Sequence, residues 1–425
     1  MFMNKIIFNP HVHFTSINLI SFFRSNLQYN FLRKMTDSAT IEVKKPKYDG
    51  RIKKRKWEER VNSDESNEKK VCGDFERIKR RKYAMLIAYS GVNYFGMQRN
   101  PGMQTIEEEL INALYKTKFI TEEAFNQMQT IQFQRAARTD KGVSAARQVV
   151  SLKLPENIDV QKVNENLPAD IRVFDLKRVT KGFNSKSQCD ARSYIYVLPT
   201  FSFASIDNKM TVEDCSKYRI TEDVLSKVNE TLSLFIGTKN FHNFTSKKKF
   251  RDPSANRYII SFECSKPFVK EGAEFSVIHV KGQSFMLHQI RKMIGLALAV
   301  IRGLTTNETI ERSWSEDRID IPMAPGLGLV LDQVHYDRYN ERYGKDGMHD
   351  TLDWKEVEQQ IQEFKENYIY PNIISTEIKE NSMYSWLETL PYHTYAVRND
   401  DNREKNEDED QQLSDDENIN CKNSN

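Results

Sequence analysis

The sequence predicts an α+β fold built from two consecutive β-α-β-β-α-β units, the order of ferredoxin-like halves. Three observations predict it. Apolar segments of strand and helix period follow one another in that order between Tyr83 and Val179. The same order recurs between Ala191 and Val334, with no detectable identity between the two stretches. The longest uninterrupted apolar run, residues 293–301, has nine residues. A membrane helix needs about 20, so these segments belong to a core and not to a bilayer.

In the first unit, residues 83–89 are a strand-like apolar run closed by Ser90 and Gly91. Thr105, followed three residues later by Glu108, spells a capping box. Ile106, Leu110, Ile111 and Leu114 then recur at helical spacing. Residues 130–138 and 147–154 alternate as strands do, 160–167 read as a short helix stopped before Pro168, and 171–179 as a strand. In the second unit, residues 191–198 form a strand. A helix over 221–235 is capped by Thr221, with Leu225, Val228, Leu232 and Phe235 on one face. Strands follow at 258–263 and 274–281, a strongly apolar helix at 285–301, and a final strand at 327–334. Residues 354–364 add a peripheral helix.

The net charge of +3 hides a segregation. Residues 400–417 hold ten acidic and two basic side chains, so the rest of the chain carries +11. A basic body suits a polyanion, nucleic acid first, although a solvated surface has the same composition. Residues 1–36 contain no Asp or Glu but carry Lys5, Arg24, Arg33 and Lys34 among hydroxyl and apolar residues, the composition of a mitochondrial targeting segment. Met35 could serve as an internal start. Residues 37–82 form a basic linker with clusters at 53–56 and 77–82 that read as nuclear-localisation signals or nucleic-acid patches. The five cysteines are far apart and show no ligand spacing, which speaks against a disulfide scaffold or a structural zinc site. Gly91 and Gly96 frame a loop followed by Met97 where a phosphate-cradling loop needs Lys, and Gly326-x-Gly328 lacks a third glycine.

Three segments could carry chemistry. Asp140 lies in a loop between two strands, with Arg138 before it and Gly142 after it. A carboxylate held ionised is a nucleophile, though local chemistry alone favours a structural Asp-x-Gly turn. Arg291 shares a helical face with Leu287, Ile294 and Leu298, and a guanidinium drawn into that apolar setting needs an anionic partner or must snorkel to water. Tyr194 and Tyr196 point to one face of a strand, where tyrosine can stack on a nucleobase but more often fills a core.

Together these segments make the sequence recognisable. ARTDKGVSA (137–145), GFNSKSQCDARSYIY (182–196), NFHNFTSKK (240–248), VKGQSFMLHQIRKMIG (280–295) and APGLGLVLDQVHY (324–336) resemble the TruA-type tRNA pseudouridine synthases, most closely their eukaryotic subgroup. The likeness runs from about residue 83 to 336 and weakly through 391. Ser144 stands where bacterial members carry His, as it does in the eukaryotic subgroup.

The resemblance implies an isomerase that converts uridine to pseudouridine in RNA, with the anticodon stem-loop region of tRNA as target and snRNA or mRNA as further substrates. It implies that Asp140 is the nucleophile, whether it attacks sugar or ring or removes a sugar proton. Arg291 becomes the basic residue facing that aspartate, Tyr194 the ring that stacks on the target base, and Arg138 the arginine that helps hold the extruded nucleotide. No metal, nucleotide or redox cofactor is expected, and no membrane. The two halves, 83–190 and 191–340, are then expected to share one extended, mainly antiparallel sheet with a central basic cleft. An extension (341–397) and an acidic tail (398–425) follow. Bacterial members are dimers. Residues 354–391 would cover such a surface, so a monomer is expected, located in nucleus and mitochondrion.

Overall fold

The computed structural model describes residues 79–246 and 248–397. The expected targeting segment, nearly all of the basic linker and the acidic tail lie outside the described residues. The architecture is α+β, a mixed sheet of ten strands with helices. The first unit contributes β1 (Arg80–Tyr89), α1 (Ile106–Lys116), β2 (Gln134–Arg135), β3 (Ser144–Pro155), α2 (Val160–Glu165) and β4 (Ile171–Arg178). The second contributes β5 (Ala191–Pro199), α3 (Glu222–Ser233), β6 (Gly237–Asn240), β7 (Asn256–Cys264), β8 (Phe268–Lys270), β9 (Ala273–Gly282), α4 (Gln289–Ile301) and β10 (Leu329–His335). The sheet runs β4-β1-β3-β10-β5-β9-β7-β6, with β2 on β3 and β8 on β9. Among the described residues every ladder is antiparallel except that of β10 with β3.

That parallel pair joins the two units. The last strand enters between β3 and β5, setting Leu331 beside Ala145 on one side and opposite Tyr194 on the other. Neighbouring strands lie about 4.8 Å apart, so Tyr194 is two strand spacings from the start of β3. The Asp140 loop feeds directly into that start.

The central strands of the first unit, β1 and β3, are covered on both faces over most of their length. Residues 144–152 of β3 are all buried, including Arg147, Gln148 and Ser151, whereas β7 alternates and exposes Tyr258 and Ile260. The second cover comes from the chain after β10. In α5 (Glu358–Phe364) the Phe364 ring meets Phe174 of β4 edge-on at 5.9 Å. Arg147 donates to Glu358 at 2.5 Å, and Lys365 donates to Asp332 of β10 at 2.8 Å. Farther on, α6 (Tyr370–Glu380) reaches Ser90 through Asn372, and α7 (Ser382–Leu387) reaches the Met210 carbonyl through Tyr384. Residues 341–397 thus close the core over both units, a role their sparse periodicity does not display.

The helix expected over 354–364 begins only at Glu358, after a left-handed Trp354, and three further differences from expectation lie nearer the site. The strand expected over 130–138 shrinks to β2, because residues 128–131 wind into a 3₁₀ turn and Gln132 takes a left-handed φ of 52°. The Gln148 side chain then bonds the backbone of Ala137 in both directions, replacing a ladder. The helix expected from 285 begins at Gln289, since His288 is left-handed at φ 60° and cannot continue a helix. Leu287 is therefore exposed and does not share the buried face of Arg291. The capping box is half formed: Thr105 accepts from the Glu108 N–H, but the Glu108 carboxylate pairs with Arg99. Among the described residues no helix is long and apolar enough to cross a membrane.

Candidate active site

The Asp140 loop is fixed by its backbone. Val143 N donates to Asp140 O at 3.1 Å, closing a turn whose third residue, Gly142, has φ +77°, the value such a turn demands of a glycine. The loop lies flush on residues 91–97. Met97 N donates to Thr139 O at 3.1 Å, Gly142 N to Tyr94 O at 3.2 Å, and Gly91 N to the Ser144 hydroxyl at 2.9 Å. The Tyr89 and Thr139 hydroxyls bond at 2.9 Å. A Cβ on Gly91 would stand 2.1 Å from Val143 O, and one on Gly96, where φ is +86°, would stand 2.7 Å from Thr139 O. The backbone of Asp140 is thus over-determined while its carboxylate stays 36% exposed, open to a substrate.

Gly96→Ala tests this bracing. The strain is about 1–3 kcal/mol, and the displaced loop should lower the catalytic rate on the order of 10²-fold. A single-turnover assay alongside a melting curve checks it. An unchanged rate would show that the loop does not depend on the 91–97 segment.

Across from the loop stands the start of α4. His288 Nε2 lies 3.9 Å from Asp140 Oδ2. Arg291 is buried, and its Nε donates to Ala324 O at 2.6 Å while its own carbonyl accepts from Ala324 N at 3.2 Å. The 322–328 segment is pressed against its neighbours: a Cβ on Gly295 would stand 2.2 Å from Pro322 O, and the Tyr196 hydroxyl donates to Pro325 O at 2.7 Å. At Gly326 a Cβ would meet the Arg291 guanidinium at 3.6 Å and the Lys141 carbonyl at 3.8 Å. Arg291 and the backbone of the Asp140 loop therefore both border the gap beside Gly326. Among the described residues no ion pair within 4.0 Å joins Asp140 to Arg291. The buried guanidinium answers to the Ala324 carbonyl and faces the loop across glycine.

Tyr194 is buried beside this gap, its ring edge-to-face with Phe285 at 5.3 Å. Burial pushes its phenol up to about 12, so near neutral pH it offers a ring and not a base. Arg138 is exposed at the loop's outer end. Of the residues singled out in the sequence, Asp140, Arg291 and Tyr194 are thus brought together, and Arg138 adjoins them only along the chain, two residues before Asp140. His288 was not singled out in the sequence, its left-handed backbone having no sequence signal, whereas Gly96, Gly326 and Tyr196 were noted there but not as braces of the site. An uncommon glycine at each end of a loop was the available hint for the first two braces.

A sequence model of the family described as tRNA pseudouridine synthase matches residues 232–337. The chain is 53% identical over 324 residues to the pseudouridylate synthase 1 homolog of Mus musculus, covering 75% of this chain and 76% of that protein. It is 53% identical over 317 residues to the Homo sapiens protein of the same name, covering 74% of each. It is 34% identical over 393 residues to tRNA pseudouridine synthase 1 of Kluyveromyces lactis, covering 74% of this chain and 71% of that protein.

Proposed function

The chain belongs to the tRNA pseudouridine synthase family and isomerises uridine to pseudouridine in tRNA, and we propose that Asp140 is the nucleophile of that reaction. The observation that carries the proposal is the meeting of the Asp140 loop with Arg291 and Tyr194 where β3, β10 and β5 adjoin. Isomerisation breaks the N1–C1′ bond, turns the uracil, joins C5 to C1′, and moves a proton from C5 to N1. Those atoms are shielded in a stack, so the nucleotide must be extruded. The exposed Arg138 suits the backbone of an extruded nucleotide, and Tyr194 with Phe285 suits a face of its base. Arg291 suits a fixed positive charge opposite Asp140, on the far side of the nucleotide, where preorganised charge stabilises what develops in the transition state.

The strand order supports ferredoxin-like halves over 83–190 and 191–340: β4-β1-β3-β2 in the first and β10-β5-β9-β7 in the second are the same permutation. The opening between them is the proposed basic cleft. The target is the anticodon stem-loop region, and snRNA and mRNA are further substrates of the same shape-reading cleft. The chain acts as a monomer, because residues 354–391 pack onto its own sheet. Purified protein incubated with tRNA and mapped chemically for pseudouridine tests the assignment. Conversion in the anticodon arm is expected, and conversion confined to another arm would move the target.

Two addresses complete the proposal. The full chain enters mitochondria through residues 1–36, and a product starting at Met35 enters the nucleus. The cluster at 53–56 is the better nuclear candidate, since Arg80, Arg81 and Lys82 of the other cluster are built into β1. Imaging tagged versions of both forms should show two compartments. The same distribution for both would reject the proposal.

A further inference from the structure

At the end of the sheet remote from Asp140, three strands deliver their cations to one place. A cavity of about 580 Å³ is lined there by Arg80, Arg81, Lys82, Lys153, Arg178 and Lys181, with His349 at its edge. Register puts them together: Lys82 lies directly opposite Lys153 on β3, and Tyr83 opposite Arg178 on β4. Like charges directly opposite one another destabilise a sheet. Lys82 is also buried, and its ammonium donates to the Gln132 carbonyl at 2.7 Å, not to a carboxylate. Burial first, and then Lys153, pull its pKa down to about 8.

The acids nearest the cavity are already engaged, Glu156 with Arg81 of the cavity itself and Asp350 with the backbone N–H of Arg178 at 3.3 Å. Glu156 accepts from Arg81 at 2.6 Å and lies 3.7 Å from Lys79, and Asp346 lies 2.5 Å from His349. Among the described residues no carboxylate lies within ion-pair distance of Arg80, Lys82, Lys153, Arg178 or Lys181. Among the described residues five of the six Lys and Arg side chains lining the cavity thus lack an ion pair, and such an array suits an external polyanion.

We propose that this cavity holds backbone phosphates of the substrate RNA at a point far from the target uridine. The proposal rests on the reading of the chain as an enzyme of structured RNA. β1 connects the two places, beginning in the cavity at Arg80 and ending at Tyr89, which bonds Thr139 beside Asp140. Ten residues of strand span about 30 Å. A single nucleotide cannot bridge that span, whereas a folded RNA can. The site thus lets the enzyme measure the body of its substrate while the cleft handles one base.

The test is tRNA binding as a function of salt, comparing the full chain with the double variant Arg178→Ala/Lys181→Ala. Both side chains are exposed, so the fold should survive, as an unchanged melting curve would verify. Each lost phosphate contact lowers the log–log salt slope by roughly 0.7–0.9, so a drop of about 1.5 is expected, with affinity weaker on the order of tenfold at low salt. The single-turnover rate at saturating enzyme should stay that of wild type. An unchanged affinity and slope would overturn the proposal. So would tighter binding by the variant, matched by wild type lacking residues 398–425, because the occupant would then be the chain's own acidic tail. Weaker variant binding without pseudouridine formation by wild type would refute the catalytic reading and leave this site standing.

Discussion

Asp140→Asn is expected to abolish pseudouridine formation while leaving RNA binding largely intact. The amide keeps the shape and nearly the volume of the carboxylate, and the loop that carries it is held by backbone bonds from Met97, Gly142 and Val143 that the substitution does not touch. The fold should therefore be retained. What disappears is the charge, and with it the group able to form a covalent bond or take a proton. A loss of at least about 10⁴-fold is the scale seen when a catalytic nucleophile is removed. Affinity for tRNA should persist with its steep salt dependence, because most of it comes from phosphate contacts. Single-turnover kinetics with excess enzyme and a parallel binding titration read the two quantities separately. Wild-type binding with wild-type rate would remove Asp140 from the mechanism.

The second large effect is expected at Arg291. Replacement by alanine removes a buried guanidinium, leaves the Ala324 carbonyl without its side-chain donor, and opens a void beside Gly326. An unsatisfied buried acceptor costs about 1–3 kcal/mol, so the melting temperature should fall by several degrees. Losing preorganised positive charge opposite the proposed nucleophile should cost a further 10²–10³-fold in rate, on the order of what removing one electrostatic stabiliser costs elsewhere. Arg291→Lys separates the two contributions. Lysine keeps the charge but lacks the planar fork that reaches Ala324 O and the gap together, so it should recover part of the rate and little of the stability. A folded alanine variant with near-normal rate would show that Arg291 serves packing alone.

Much of this site was legible in the sequence because it is local. The Asp140 turn is spelled by Asp-Lys-Gly, and Gly142 does take the positive φ such a turn requires. Arg291 was expected to be buried from helical spacing, and it is. What the sequence concealed depends on contacts distant along the chain. The parallel pairing of β10 with β3 brings Tyr194 to the Asp140 loop, and no periodicity within either strand announces it. The same holds for β3, which reads as a one-sided alternating strand but is buried on both faces, because α5 and the residues after it cover Arg147. The helix start was misplaced because His288 adopts a left-handed backbone that glycine or asparagine would have signalled and histidine does not. The partner of Arg291 is likewise a carbonyl on a loop some thirty residues downstream, a contact that helical spacing cannot name.

The central claim is that one carboxylate drives exchange of the uridine's N1–C1′ bond for a C5–C1′ bond. Forming that bond expels the hydrogen at C5, so release of tritium from tRNA labelled at uridine C5 measures it most directly. Wild-type protein is predicted to release the tritium of each uridine it converts, in step with pseudouridine formed, and the Asp140→Asn protein to release none above background. Tritium release by the asparagine protein at the wild-type rate, with contaminating enzyme excluded, would contradict the account.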